Sequence, residues 1–490
     1  MRKYMKAQSS IGHCLALLAI LNLVACGSGS GSSSGPSSGP SSVSSCGPSP
    51  VLPATAPIPP ANRPTGLVHP PNKSNVLPPS IPPPMVGQFG YNFWSPGVAG
   101  FPAVGEFYVD PVFGGTVRRL TDIGSLQNQD DIYGHHWANA DGTLVFSRQG
   151  ANGEIGRILD ATTGRVVYDH QLGMSGPTAI DIAWDAIDPN VYYYYSGTDL
   201  MRRNLAAQPQ PIDTIKKRFP AVLESNGGSL NTQDRSGRYF TVRYGGNNKV
   251  WDSQADIIYS GAVTPLNPNG WVAITPDGNY LVTAAGFAGP PNIEHYSYPI
   301  NHGSNCIGST PTQFWGLCGD HGALISASDN KNYFITHNCQ HDANTYRVDI
   351  TLDQSGKTEA EQIAANRLLL LGEFNQTGDG HLSAVSKGPN QDWVFADIET
   401  LDDPFGIPGT PFTPVAWAPY EQEIVAINVT TLEVWRYAHH RSRGLDTSGA
   451  HYYSQPRISC SWDGSVVLWT SNFNIAAPVG YADLYAMSFP

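Results

Sequence analysis

The chain has 490 residues and a formal net charge of −12, which becomes three units more negative without Arg2, Lys3 and Lys6. Charged residues are only 14% of the total and no Lys/Arg-rich run occurs. This argues against nucleic-acid binding and against broad electrostatic capture of polyanions, so any polyanion site needs a local arginine cluster. No Walker loop and no Gly-x-Ser-x-Gly elbow at a strand end appears, which disfavours an NTPase and a serine hydrolase.

The first element is an address. Arg2, Lys3 and Lys6 form a basic start, and Ile11 to Val24 form an apolar run too short for a comfortable membrane span. Leu23-Val-Ala-Cys26 followed by Gly27 resembles a bacterial lipobox. That resemblance implies residues 1–25 as a lipoprotein signal peptide, Cys26 as the lipidated mature N-terminus, and sorting to the outer membrane of the cell envelope. The alternative is an ordinary signal peptide with a chance cysteine. Residues 26–85 are rich in Ser and Gly, then in Pro. Such a segment cannot bury enough apolar surface to offset its ordering entropy, so it is expected to be a disordered tether.

From residue 86 to 490 a different pattern takes over. Asp141-Gly-Thr-Leu-Val-Phe-Ser-Arg148 is followed by three close copies that begin at Ser236, Asp277 and Asp463. Weaker copies begin at Asp188, Asp329 and Asn390. Each couples a tight turn to an alternating strand, with Asp-Gly supplying the positive φ of a two-residue hairpin. A single small sheet has two open faces, and a ring of neighbours covers both. Seven copies therefore predict an all-β, seven-bladed β-propeller of four-stranded blades. Closure is expected between Ala482 to Phe489 and Thr116 to Leu120, because a closed ring leaves few exposed edges. Thr358 to Leu371 alone has helical character and is expected to be a short helix or a lead-in to a strand.

Cysteine and histidine supply the next candidates. Cys306 and Cys318 flank a Gly/Ser/Thr-containing loop and can pair in an exported chain. The rival is a metal site. His337-Asn-Cys339-Gln-His341 alternates ligand types, which places them on one face of a strand, and Cys318 and His321 precede it. Zinc, calcium or manganese held by Cys318, His321, Cys339 and His341 is the metal reading, and the alternative is a strand end with polar histidines and a disulfide or buried thiol.

Four stretches carry a family resemblance. They are Val109 to Asp122, His136-Trp-Ala-Asn-Ala-Asp-Gly142, Gly380-His-Leu-Ser383, and His439-His-Arg-Ser442 through Gln455-Pro-Arg457 to Phe473. Together they resemble the exported propellers that include TolB-type proteins, oligogalacturonate lyases and propeller ulvan lyases. The resemblance implies action on, or binding of, an acidic polysaccharide or another envelope component by a membrane-anchored monomer. In its enzymatic form it implies uronate-specific β-elimination. That reaction needs a cation on the uronate carboxylate, a base for the C5 proton and an acid for the leaving O4. The catalytic candidates are His136, His381, His440, Arg441, Tyr452 and Arg457, with His135 and Gln455 binding substrate. They are expected to converge at one end of the central channel. The chain departs from the lyase pattern after Gln455, where Pro456-Arg457-Ile458-Ser459 follows without a paired histidine. A non-catalytic glycan- or protein-binding propeller is the alternative of a different class.

Overall fold

The computed structural model describes most of residues 101–489 and the backbone of 76–77. Outside the described residues lie 1–75, 78–100, 111–112, 123–135, 150–154, 171–182, 208–211, 225–231, 266–269, 285–293, 339–343, 372–379, 399–419, 443–454, 476–480 and positions 318, 320, 421, 474 and 490.

Seven antiparallel sheets follow one another along the chain. The seven turn-and-strand copies lead into Leu144–Gln149, Val191–Ser196, Tyr239–Tyr244, Tyr280–Ala284, Asn332–His337, Trp393–Asp397 and Val466–Ser471, one per sheet. These sheets are blades 1 to 7 of an all-β propeller. The apolar core is thin and lies in the seams. One cluster joins blades 2 and 3 through Tyr193, Phe219, Phe240 and Trp251, and another joins blades 6 and 7 through Phe395, Ile424, Trp469 and Tyr485. Such seams let a chain of this length bury its strands without one large core.

Two expectations need correction. Among the described residues the sheets hold three to five strands rather than a uniform four. Blade 1 completes its inner edge only by the bridge Ala138↔Val145, whereas blade 6 gains Val76–Leu77 at its outer edge. The Asp-Gly turns are also wider than a two-residue hairpin. The Gly142 N–H bonds to Asn139 O, and the Asn139 N–H bonds to Leu144 O. Only the glycine takes positive φ, 68° at Gly142 and 74° at Gly464. The aspartate works through its side chain: Asp141 accepts from the Thr143 N–H at 3.1 Å, and Asp463 from the Ser465 N–H at 3.0 Å.

The ring closes as expected. Thr116–Arg119 pairs antiparallel with Asp483–Ser488, with Arg118 opposite Ala486 and Arg119 opposite Tyr485. Chain start and chain end thus share blade 7. Thr358 to Leu371 turns out to be both things expected of it: a helix, Glu359–Ala365, capped reciprocally by Thr358 and Glu361, and then the strand Arg367–Leu370.

One loop crosses the channel. Beyond the inner strand of blade 6 (Leu382–Ala384) the chain makes a 3₁₀ turn, Gly388–Asn390. Lys387 donates to Ala186 O in blade 2, and Arg235 of blade 3 donates to Gln391 at 3.0 Å. Blade 6 reaches blades 2 and 3 only across the central axis, so this loop plugs the channel at the end carrying the Asp-Gly turns.

Candidate functional site

The opposite end is built from the starts of inner strands and the ends of the strands that follow them. In blade 6, His381 leads into Leu382–Ala384 and Asp397 ends Trp393–Asp397. The two meet: the His381 backbone N–H donates to Asp397 Oδ1 at 2.6 Å, and His381 Nδ1 lies 3.7 Å from the same oxygen. The other oxygen, Oδ2, accepts the Ile458 N–H at 2.8 Å. Ile458 precedes the inner strand of blade 7, and Arg457 stands directly before it. One carboxylate therefore ties together the mouths of two blades. Burial alone would raise the Asp397 carboxyl, but hydrogen bonding and charge from His381, with His440 behind, hold it below the usual carboxylate range.

Three further imidazoles lie near this carboxylate or its partner His381. His321 stacks on His381 with ring centroids 4.6 Å apart and planes 15° apart. His337 ends its strand in blade 5 and has Thr345 Oγ1 2.9 Å from Nδ1. Its other nitrogen, Nε2, is buried without a hydrogen-bond partner. His440 donates from Nε2 to Ile398 O at 3.3 Å and accepts the Ser442 N–H on Nδ1 at 3.1 Å. Burial pushes His337 and His440 down to about 4 against the pull of Asp397, so both are neutral near pH 7.

Arg457 is 7% exposed and Gln455 6%. Arg457 Nη2 donates to Gln455 Oε1 at 3.4 Å, and Arg457 adjoins in sequence Ile458, whose N–H meets Asp397. Arg441 is placed elsewhere. It is fully buried, with its guanidinium 5.2 Å from the Tyr108 ring, 5.6 Å from Phe473, and Nη2 3.6 Å from Asp110 Oδ2. That surrounding ties blades 6 and 7 to the N-terminal strand and gives Arg441 a structural task.

His136 also departs from the expected ring. It donates from Nδ1 to Cys460 O at 2.9 Å and accepts from Ser386 Oγ on Nε2 at 2.8 Å. Its ring lies 4.4 Å from that of Trp462. Ser386 is five residues beyond His381, on the order of 15 Å along extended chain, and leads into the plug. His136 thus fills the inner channel rather than its mouth. Burial lowers it to about 4. Next to it the Cys460 thiol is free, buried and pushed up to about 12, so it is an inert space-filler.

His135, Tyr452, Cys318, Cys339, His341 and Cys26 lie outside the described residues. The described strand ends at His337, and the one-face alternation drawn for His337, Cys339 and His341 lies mostly outside the described residues. Cys306 is disulfide-bonded, to a cysteine outside the described residues. Among the described residues no group of three or more His, Cys, Asp or Glu side chains is arranged to hold a metal ion.

Asp397 was the residue missed from the sequence. Its signal was an aspartate closing an apolar strand, Trp393-Val-Phe-Ala-Asp397, shortly after His381.

No protein-family model matches the chain, and no curated protein matches it in sequence. Among solved structures it is similar to the oligogalacturonate lyase of Vibrio parahaemolyticus, with TM-score 0.49 and 11% identity over 79% of this chain and 96% of that one. It is also similar to an oligogalacturonate lyase in complex with manganese, with TM-score 0.47 and 14% identity over 80% of this chain and 97% of that one. Likeness at this level carries no information about the chemistry of the site.

Proposed function

We propose that the protein acts on or binds an acidic polysaccharide at the end of its propeller opposite the Lys387–Gln391 loop, and that its enzymatic form is uronate-specific β-elimination. The observation that carries this reading is the Asp397 carboxylate, which brings His381 of blade 6 and the Gln455–Arg457 stretch of blade 7 to one place. In an otherwise acidic chain this sets an arginine, through its neighbour Ile458, on the element that meets the His381–Asp397 pair. Arg457 neutralises the uronate carboxylate and so acidifies C5–H. His381 takes that proton, the C–H electrons form the C4=C5 double bond, and the C4–O4 bond breaks. The proton on the departing O4 comes from Tyr452, which lies outside the described residues. A lipid on Cys26 and the 26–85 tether hold the domain at the outer membrane as a monomer.

A second reading, binding without reaction, is favoured by the hydrogen-bond saturation of His136 and His440. Imidazoles with both nitrogens occupied serve architecture better than proton transfer.

The test is a screen of the mature chain against polyuronates, following the ultraviolet absorbance of the unsaturated product and, in parallel, retention by the same polymers. His381→Ala and Arg457→Ala are each expected to lower turnover by at least about 10²-fold. His136→Ala is instead expected to cost stability, on the order of 3 kcal/mol by urea unfolding, because it leaves a cavity and orphans Ser386. Retention without product selects the binding reading, and neither retention nor product refutes both. Separately, Cys26→Ser is expected to release the protein from the membrane fraction, since stable anchoring needs more than one acyl chain. Unchanged membrane partition of that variant would sink the lipid-anchor reading.

A further inference from the structure

Cys306 is disulfide-bonded, and the strand register around it decides which cysteines it can reach. Cys306–Ile307 is an outer strand of blade 4, with Cys306 opposite Asn301 and bridged to Ser260 beside the outer strand of blade 3. The chain then runs back along the same neighbour, His295–Asn301, until Trp315 stands opposite His295. Cys306 and Trp315 therefore lie at opposite ends of a seven-residue strand, roughly 20 Å apart at the usual rise per residue. Cys318 follows Trp315 by three residues, which span at most about 11 Å. Even a full reversal would leave its Cα about 9 Å from that of Cys306, beyond the limit of about 7 Å for a disulfide. The chain does not reverse. The Gly316 N–H donates to Gln362 Oε1 of the helix Glu359–Ala365 at 2.8 Å, and Gly319 lies against the Thr336 side chain of blade 5. The pairing of Cys306 with Cys318 expected from the loop between them is thereby excluded.

Cys339 fails for a related reason. It follows Thr336 by three residues, at the end of blade 5 that Gly319 meets. Cys306 stands at the other end, that of the Asp-Gly turns, where the Ile300 N–H donates to Asn279 O at 2.8 Å. Asn332 shares that end through its bond to Asp277 at 2.7 Å, and the strand Asn332–His337 leads away from it. Cys460 lies in the inner strand of blade 7 and is free. The partner is therefore one of the cysteines ahead of residue 76, namely Cys14, Cys26 or Cys46. The compact unit that holds the propeller begins at Cys46 and leaves Cys14 and Cys26 outside.

We propose that Cys46 is disulfide-bonded to Cys306, so that the chain ahead of the propeller is stapled to the rim between blades 3 and 4. A second fixed point follows at Val76–Leu77 on the outer edge of blade 6. About 30 residues separate the two, an extended reach on the order of 90 Å, which is enough to pass blade 5 along the rim. Each thiol gives up one proton and one electron when the bond forms. The two protons and two electrons pass to an external disulfide, which becomes a dithiol by exchange. With a lipid on Cys26, the staple cuts the free tether to about 20 residues, on the order of 60 Å extended, against on the order of 180 Å for the whole of 26–85. That consequence rests on the lipid-anchor reading, whereas the bond itself does not.

The experiment is thiol mapping of the full chain, denatured without reductant, alkylated with iodoacetamide and cut with chymotrypsin. Phe314 and Trp315 lie between Cys306 and Cys318, so the digest separates the two. In the wild type the Cys306 peptide is expected joined to the Cys46 peptide and freed from it by reduction. A Cys306 peptide joined to any other cysteine overturns the proposal. Cys46→Ser is expected to raise alkylation of Cys306 at least about tenfold, or to place Cys306 in a reducible dimer of the chain. Cys318→Ser is expected to leave Cys306 blocked. A Cys46→Ser monomer in which Cys306 stays blocked overturns the proposal, as does labelling of Cys306 in Cys318→Ser. Membrane partition of Cys26→Ser bears on the lipid anchor alone, so the two readings fail separately.

Discussion

Asp483→Ala is expected to cost about 3–5 kcal/mol, because it strands a buried guanidinium at the point where the ring closes. Asp483 Oδ2 accepts from Arg119 Nε at 3.0 Å and from Nη2 at 2.8 Å, with side-chain exposures of 0% and 5%. The Tyr481 hydroxyl donates to the same oxygen, and Thr121 Oγ1 lies 3.5 Å from Oδ1. Arg119 comes from the strand near the chain start and Asp483 from the last strand, so the pair spans the seam that makes the propeller a closed ring. Arg119 keeps its bonds to Pro102 O and Asp122 in the variant, but its charge loses its buried counter-ion. Urea unfolding at neutral pH measures the loss. Arg119→Met combined with Asp483→Leu is expected to recover more than half of it, because removing both charges removes the stranded one. A cost below about 1 kcal/mol for Asp483→Ala would show that the closure does not depend on this pair.

Stability is expected to fall as pH drops from about 6.5 to about 4. His136, His337 and His440 are each lowered from 6.5 to about 4, with burial as the leading cause in every case. In the unfolded chain these rings take protons near 6.5, whereas in the folded chain they resist until about 4. Between those values the unfolded state binds up to three more protons. Each such proton costs up to about 1.4 kcal/mol per pH unit. Their contribution is fully present above about 6.5 and is lost once pH falls below about 4. Asp397 and Asp110 extend the loss to lower pH. Burial opposes their ionisation, but their histidine partners, with Arg441 beside Asp110, hold both below the usual range. Their contribution is present above the ordinary carboxylate value and disappears as pH falls through the lowered one. Urea midpoints across the range about pH 7.5 to pH 4.5 give the slope. His136→Gln should reduce that slope by close to one proton. A flat profile between about pH 7 and pH 5 would contradict the burial of these rings.

Much of the architecture was legible in the chain because its causes are local. A glycine at positive φ after an aspartate whose side chain closes its own turn marks the start of a strand wherever it occurs. Three such marks, at Gly142, Gly278 and Gly464, together with four looser turn copies count seven blades, and the alternating runs behind them name the strands. The closing partnership of Thr116–Arg119 with Asp483–Ser488 was readable for a related reason: a strand pattern left over at each end of a ring has one available mate. Strand number per blade was less legible, since outer strands such as Val76–Leu77 are short and carry little pattern.

The site was legible only in part. His381, Gln455 and Arg457 could be named from residue type and motif, but not the carboxylate that unites them. Asp397 closes an apolar strand like many turn aspartates, and its role comes from a blade 7 amide 61 positions away. His136 and His381 occupy similar offsets before their turns, yet the His136 ring points down the channel to Ser386 while His381 stays at the mouth. Arg441 adjoins His440 in sequence, but its positive φ of 62° turns it into the seam against Tyr108 and Phe473. What the sequence determined by itself was the repeat, the ring it builds and the residue types available to it. The tertiary structure alone decided which end of the channel is plugged, which histidines are walls, and which one meets a carboxylate. The physical reason is that turns and strand alternation are set by neighbours a few residues apart, whereas side-chain encounters depend on how blades distant in sequence are staggered around a common axis.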